Sequence, residues 1–227
     1  MFDVGHVLDQ PVWSALNGAD ATLAIGGVTA KRYRTDVSPF AAVDSSSAED
    51  RLQTLRGFAT SEHPVALVNP GRLTGWTTVA SIGVVQMTGV EVKRPVPGIG
   101  DIVELGDADV ADMVELTALT KPGPFAERTL ELGGYVGVRE NGRLIAMAGE
   151  RMHPDGWAEI SAVCTHPDYR GRGLGARVVL TVAKAIRERG ILPFLHVAVE
   201  NTGALRLYQA LGFEARCELP IEVGHPA

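Results

Sequence analysis

Two cysteines in 227 residues are too few for a disulfide framework. Cys164 and Cys217 read instead as free thiols of a reducing compartment. Neither stands in a Cys-x-x-Cys pair or beside a histidine pattern suited to zinc, so no metal site is expected. No apolar run approaches the ~20 residues that a membrane helix needs. The opening residues, MFDVGHVLDQ, lack the basic segment and apolar stretch of a signal peptide. A cytoplasmic protein is the expectation. Positive charge is scarce as well: 21 Lys and Arg against 27 Asp and Glu leave a net charge of -6. That is not the basic face of a nucleic-acid binder, so neither nucleic acid nor membrane is expected as a partner. What is present is ordinary for a globular chain, 45% hydrophobic and 21% charged. The length suits one large domain or two small ones.

Proline and glycine mark the organisation. Lys93-Arg94-Pro95-Val96-Pro97-Gly98-Ile99-Gly100 cannot continue a helix or a central strand, which predicts a linker and two domains, 1–97 and 98–227. Before it, Asp9 and Pro11 open a short helix ended by Asn17-Gly18. Ala21–Ile25 and Val28–Arg34 read as a hairpin across Gly26-Gly27, Ser47-Ala48-Glu49-Asp50 as a helix start, and Pro64–Val68 and Ser81–Val92 as strands. After the linker, the pattern predicts a strand at Asp101–Leu105, a helix from Asp107 to about Leu119, and a second short helix over Phe125–Leu132. A hairpin follows across Asn141-Gly142. Then come a strand at Trp157–Thr165 and a helix at Leu174–Arg189 with Leu174, Val178, Val182, Ala185 and Ile186 as its stripe. A strand at Pro193–Val199, a helix at Ala204–Leu211 and a strand at Phe213–Val223 complete a mixed α/β sheet.

Chemistry concentrates in Arg170-Gly171-Arg172-Gly173-Leu174-Gly175. Glycines let a backbone approach a ligand closely, and the helix behind them turns free amides toward an anion. Three phosphate loops compete for this stretch. A Walker loop needs Lys and Ser/Thr after its last glycine, and Ala176-Arg177 follow Gly175. Gly171–Ala176 fits the dinucleotide pattern GxGxxA. There the strand ends almost at the first glycine, whereas Thr165-His166-Pro167-Asp168-Tyr169-Arg170 intervene here. The third is the acetyltransferase loop Arg/Gln-x-x-Gly-x-Gly/Ala, matched by Arg170 to Gly175. A second signature, Asn-x-x-Ala-x-x-x-Tyr-x-x-x-Gly-Phe, is matched by Asn201, Ala204, Tyr208, Gly212 and Phe213.

On these two motifs the chain resembles the GNAT superfamily of N-acetyltransferases, over roughly 101–223. The resemblance implies a GNAT fold carrying an additional N-terminal α/β domain, either a worn second copy of the fold or a lid over the acceptor pocket. It implies acetyl-CoA as cosubstrate and a primary amine, small molecule or peptide, as acceptor, by direct attack in a ternary complex. A homodimer is left open. Amides of Gly171, Arg172, Gly173, Leu174, Gly175 and Ala176, with Arg170, would hold the pyrophosphate. Val163, Cys164 and Thr165 would pair with pantetheine as an added strand, and one of their amides would polarise the acetyl carbonyl. Asn201 would bond the pantetheine arm, and Tyr208 would protonate the leaving thiolate as general acid.

Each residue also has a plainer reading. Arg170 and Arg172 could be surface charges, Tyr208 core, Asn201 a helix cap and Cys164 a small buried residue. For the base, Glu159 at the start of the central strand, His196 in the next strand and Glu150 in the preceding one stay open, beside a water relay. An inactive relative that only binds or senses acyl-CoA is the competing function.

Overall fold

The computed structural model describes residues 5–44, 53–71, 73–95 and 101–227. Its first half contains α1 (Pro11–Asn17) and strands β1 (Ala24–Gly26), β2 (Ala30–Tyr33), β3 (Phe40–Val43), β4 (Val65–Val68) and β5 (Trp76–Thr88). Its second half contains β6 (Ile102–Leu105), α2 (Val110–Thr120), β7 (Tyr135–Glu140), β8 (Arg143–Glu150), β9 (Trp157–Thr165), α3 (Leu174–Glu188), β10 (Leu192–Ala198), α4 (Thr202–Ala210) and β11 (Glu214–Pro226).

The described strands form one eleven-stranded sheet in the order β1-β2-β3-β4-β11-β5-β10-β9-β8-β7-β6. β5 precedes the predicted linker, yet it lies antiparallel between β10 and β11 of the second half. The hairpin at Asn141-Gly142 has φ of 52° and 82°, the left-handed pair that its turn residues predict. β5 starts at Trp76, five residues before the expected strand, because its first half pairs with the far end of β11. The second short helix is a correction: within Phe125–Leu132 only a 3-10 turn, Thr129–Leu132, forms. Lys-Pro-Gly-Pro leaves the segment before it without regular structure. The helix start at 47–50 and part of the linker, 96–100, lie outside the described residues.

Helix α3 covers one face of the sheet. Leu174, Val178, Val179, Val182, Ala183 and Ile186 are buried there against Ile160, Leu195 and Val197. Ala183 takes the place predicted for Ala185, which is exposed: with Val179, Val182 and Ile186 it makes an i, i+3, i+4, i+7 stripe. On the opposite face α1 brings Val12, Ala15 and Leu16 against Phe194, Leu219 and Ile221. Beside them α2 sets Met113 and Leu116 on Met147 and Cys164. No helix of the described residues is long and apolar enough to cross a membrane.

Candidate active site

The site begins where two parallel strands part. β9 and β10 pair only at Leu192↔Trp157, Pro193↔Ala158 and Phe194↔Glu159. Beyond that point β9 continues to Thr165 and β10 to Ala198 without pairing to each other. Exposure follows the break: Ser161, Val163, Thr165, His196 and Ala198 are half-buried, while the residues between them are buried. A wedge-shaped notch with free strand edges results. A bulge reinforces it. Gly149 pairs with Ser161 and Met147 with Cys164, so Ala162 and Val163 together face Ala148. Ala162 takes φ of 53° to do so, and a bulge of this kind turns backbone groups out of the ladder.

The glycine loop stands at the head of the notch. A 3-10 turn, Pro167–Tyr169, leads into it. Gly171 and Gly173 adopt φ of 78° and 76°, where a side chain would be strained, and a Cβ on either would meet nothing within 4 Å. Gly173 caps α3 with no side-chain hydrogen bond, so the first-turn amides of α3 lack helical partners and face outward. Arg170 is exposed. Arg172 is stacked over the Tyr169 ring at 4.7 Å and sits 3.5 Å from Glu140. Gly175 comes close to both Thr165 and Leu207, which joins loop, β9 and α4 at one place.

Across the notch, Asn201 caps α4, its Oδ1 accepting from the Ala204 amide at 3.1 Å. The plainer reading of Asn201 is therefore realised, and it leaves the side-chain NH2 for other partners. Tyr208 is buried beside Phe213, with ring centroids 6.0 Å apart. Burial, aided by nearby Cys164, pushes its phenol up to about 12, so it stays protonated at neutral pH. Burial likewise pushes the Cys164 thiol up to about 11, which makes it a small buried group and a poor nucleophile.

Two of the three base candidates, Glu159 and His196, meet in one buried array. Glu159 is fully buried and receives Arg151 bidentately, Nε to Oε2 at 2.7 Å and Nη2 to Oε1 at 2.5 Å. His196 Nδ1 lies 2.7 Å from Glu159 Oε1. Burial alone would raise the Glu159 pKa, but the Arg151 charge and these hydrogen bonds hold it at about 2. Arg216 fixes the histidine tautomer from a distance. Its guanidinium can only donate and bonds Gln86 Oε1 at 2.9 Å. The Gln86 amide nitrogen is thereby turned to His196 Nε2 at 3.0 Å and to the Leu8 carbonyl at 3.0 Å. His196 Nε2 therefore accepts, and its Nδ1 carries the proton toward Glu159. Glu150 sits apart, bonded by His153 at 2.9 Å and by Arg189. Arg151, Gln86 and Arg216 were invisible in the sequence because three separate elements carry them to His196 and Glu159.

Comparisons with known proteins agree with this geometry. The family model of FR47-like proteins matches residues 135–219. The structure superposes with a TM-score of 0.86 on a GNAT-family protein from Novosphingobium aromaticivorans, 38% identical, covering 98% of this chain and 100% of that one. A GCN5-related N-acetyltransferase from Kribbella flavida shares the fold at TM-score 0.67 and 21% identity, over 97% of this chain and 96% of that one. Among curated relatives, mycothiol acetyltransferase of Saccharopolyspora erythraea is 31% identical over 93 residues, 40% of this chain and 30% of that protein. N-alpha-acetyltransferase RimI of Mycobacterium tuberculosis is 35% identical over 100 residues, 41% of this chain and 62% of that protein. The matched stretch thus spans less than a third of the mycothiol acetyltransferase.

Proposed function

Because this chain belongs to the GNAT family, we propose that it transfers the acetyl group of acetyl-CoA to a primary amine by direct attack within one ternary complex. The observation that carries this reading is the continuity of the β9/β10 notch with the glycine loop. One end offers amides at a helix start for a pyrophosphate, and the other offers free strand edges for an extended amide-bearing arm.

In this reading the amides of Gly171 to Ala176 and the Arg170 charge hold the pyrophosphate. Val163, Cys164 and Thr165 pair with pantetheine through their backbone, and the Asn201 side-chain NH2 reaches its arm. An amide at the Ala162 bulge polarises the thioester carbonyl, where negative charge develops. The amine nitrogen attacks the carbonyl carbon, the C–S bond breaks, and Tyr208 gives its proton to the thiolate. Glu159 and His196 hold the apex of the notch and do not receive the amine's proton. Both Glu159 oxygens are engaged, and His196 has each ring nitrogen occupied. That proton leaves through water at the half-buried Ser161. We place the reaction in the cytoplasm. The relatives' names span a small molecule and an alpha-amine, so the acceptor is assigned here only as a primary amine.

Thiol release from acetyl-CoA, followed across a panel of amines with Tyr208→Phe as control, tests the reading. Turnover that depends on the amine and falls in the variant supports it. Tight coenzyme A binding with no turnover would favour an acyl-CoA sensor, and no binding would remove both.

A further inference from the structure

One row of the sheet, just past the point where β9 and β10 part, holds Tyr135, Gly149 and Ser161 on successive strands. Gly149 serves Tyr135: a Cβ there would lie 2.3 Å from the ring. The ring therefore lies flat over β8 and carries its hydroxyl toward β9. Glu159 and Cys164 of β9, with Glu150 and Arg151 at the end of β8, are all within electrostatic reach of that hydroxyl. Tyr135 is only 2% exposed, and its Oη finds no hydrogen-bond partner among the described residues. Leaving a buried hydroxyl unpaired is costly, and Phe would fill the same space without that cost.

The surroundings suggest what the hydroxyl is for. It lies on the face opposite α3, away from the glycine loop, in the row that crosses β9 just past the point where β9 and β10 part. Phe125 stands edge-on to the ring at 5.7 Å. Phe125 is half-buried and belongs to the irregular segment 121–128 after α2. It packs there with Met113 and Leu116 as an apolar cover.

We propose that the Tyr135 hydroxyl is the docking point for the acceptor's amine nitrogen. The acceptor enters between α2 and segment 121–128, displaces Phe125, and donates an N–H to Oη at the apex of the notch. Apolar carbon next to the amine replaces Phe125 against Met113 and Leu116, so the site selects an amine borne on an apolar carbon. This assignment rests on the acetyl-transfer reading.

The test is Tyr135→Phe, read three ways: thermal midpoint, coenzyme A affinity by calorimetry, and steady-state kinetics with benzylamine, putrescine and an alanyl peptide amide. The melting temperature should hold or rise. Coenzyme A affinity should stay within about twofold, and kcat/KM for the best amine should fall about tenfold or more, chiefly through KM. A lowered melting temperature with unchanged kinetics would make Tyr135 structural and overturn the proposal, as would unchanged kinetics at an unchanged melting temperature. Failure of the acetyl-transfer reading looks different: the wild type binds coenzyme A and turns over none of the amines. The hydroxyl is then judged on stability alone. A lowered melting temperature means it had a partner within the fold, whereas a held or raised one confirms a free buried hydroxyl; in either case the docking assignment falls with the acetyl-transfer reading.

Discussion

The two halves of the sheet repeat one strand pattern and load it differently. In the second half β7, β8 and β9 run antiparallel, β9 and β10 pair in parallel across α3, and β10 pairs antiparallel with β5. In the first half β1, β2 and β3 run antiparallel, β3 and β4 pair in parallel, and β4 pairs antiparallel with β11. Each half lends its last strand to the other, and the two lent strands pair along the middle of the sheet. The parallel pair is short in both halves, with only Phe40↔Ala66 and Ala41↔Leu67 in the first. A cavity of about 290 Å³ opens there, lined by Trp13, Ala41, Asp44, Leu67 and Asn69 among others. The residues next in the chain are unlike. After β9 come three glycines and two arginines in Arg170–Gly175; after β3 comes Asp44-Ser45-Ser46-Ser47-Ala48-Glu49-Asp50, with three acids and no glycine. In sequence the stretch after β9 is cationic and glycine-rich, as an anion site requires, and the stretch after β3 is acidic. Topology supplies the short parallel pair twice, and the chain continues from it with different residues each time.

The largest effect that would sharpen this contrast is on stability. Glu159→Gln removes the charge opposite a buried Arg151, which should cost about 3–5 kcal/mol in urea unfolding. A loss under about 1 kcal/mol would show that the apex of the second-half notch is not held by this pair. Next in size, Tyr208→Phe should lower kcat about a hundredfold while the acetyl-CoA KM changes little. An unchanged kcat would return Tyr208 to the core. The smallest effect concerns the seam between the halves. His153 bonds Asp20 of the first half at 3.0 Å and Glu150 of the second at 2.9 Å. Burial opposes its charge, but these two carboxylates raise its pKa to about 9. A raised histidine stabilises the fold fully below its unfolded pKa, near 6.5, and the contribution is lost as pH rises through about 9. Stability should therefore decline across that window, and His153→Gln should flatten the decline. A decline of the same size in the variant would place the titration elsewhere.

Local features of the site were legible in the sequence. The left-handed φ of Gly171 and Gly173, the Asn201 cap and the Asn141-Gly142 turn are each set by residues within a few positions, and residue type alone reports them. The fold class was legible too, through strand alternation and the α3 stripe. Three features were not. The insertion of β5 between β10 and β11 is a pairing between segments more than a hundred residues apart, which no periodicity encodes. The pairing of Glu159 with Arg151, and of His196 with Gln86, is also not local: β5 and the end of β8 carry these partners to them. Nothing in the sequence singled out Tyr135, since the missing partner of a hydroxyl is visible only once its neighbours are placed.

The claim that one half is equipped and the other is not is tested most directly by calorimetric titration of the whole chain with coenzyme A, beside Gly173→Val. Gly173 has open space where its Cβ would be, so the variant should fold and lose only the loop's geometry, at a backbone cost of about 1–3 kcal/mol. One coenzyme A per chain is expected, with binding lost in the variant while its circular dichroism is unchanged. Two molecules per chain, or one that survives Gly173→Val at full affinity, would contradict the claim.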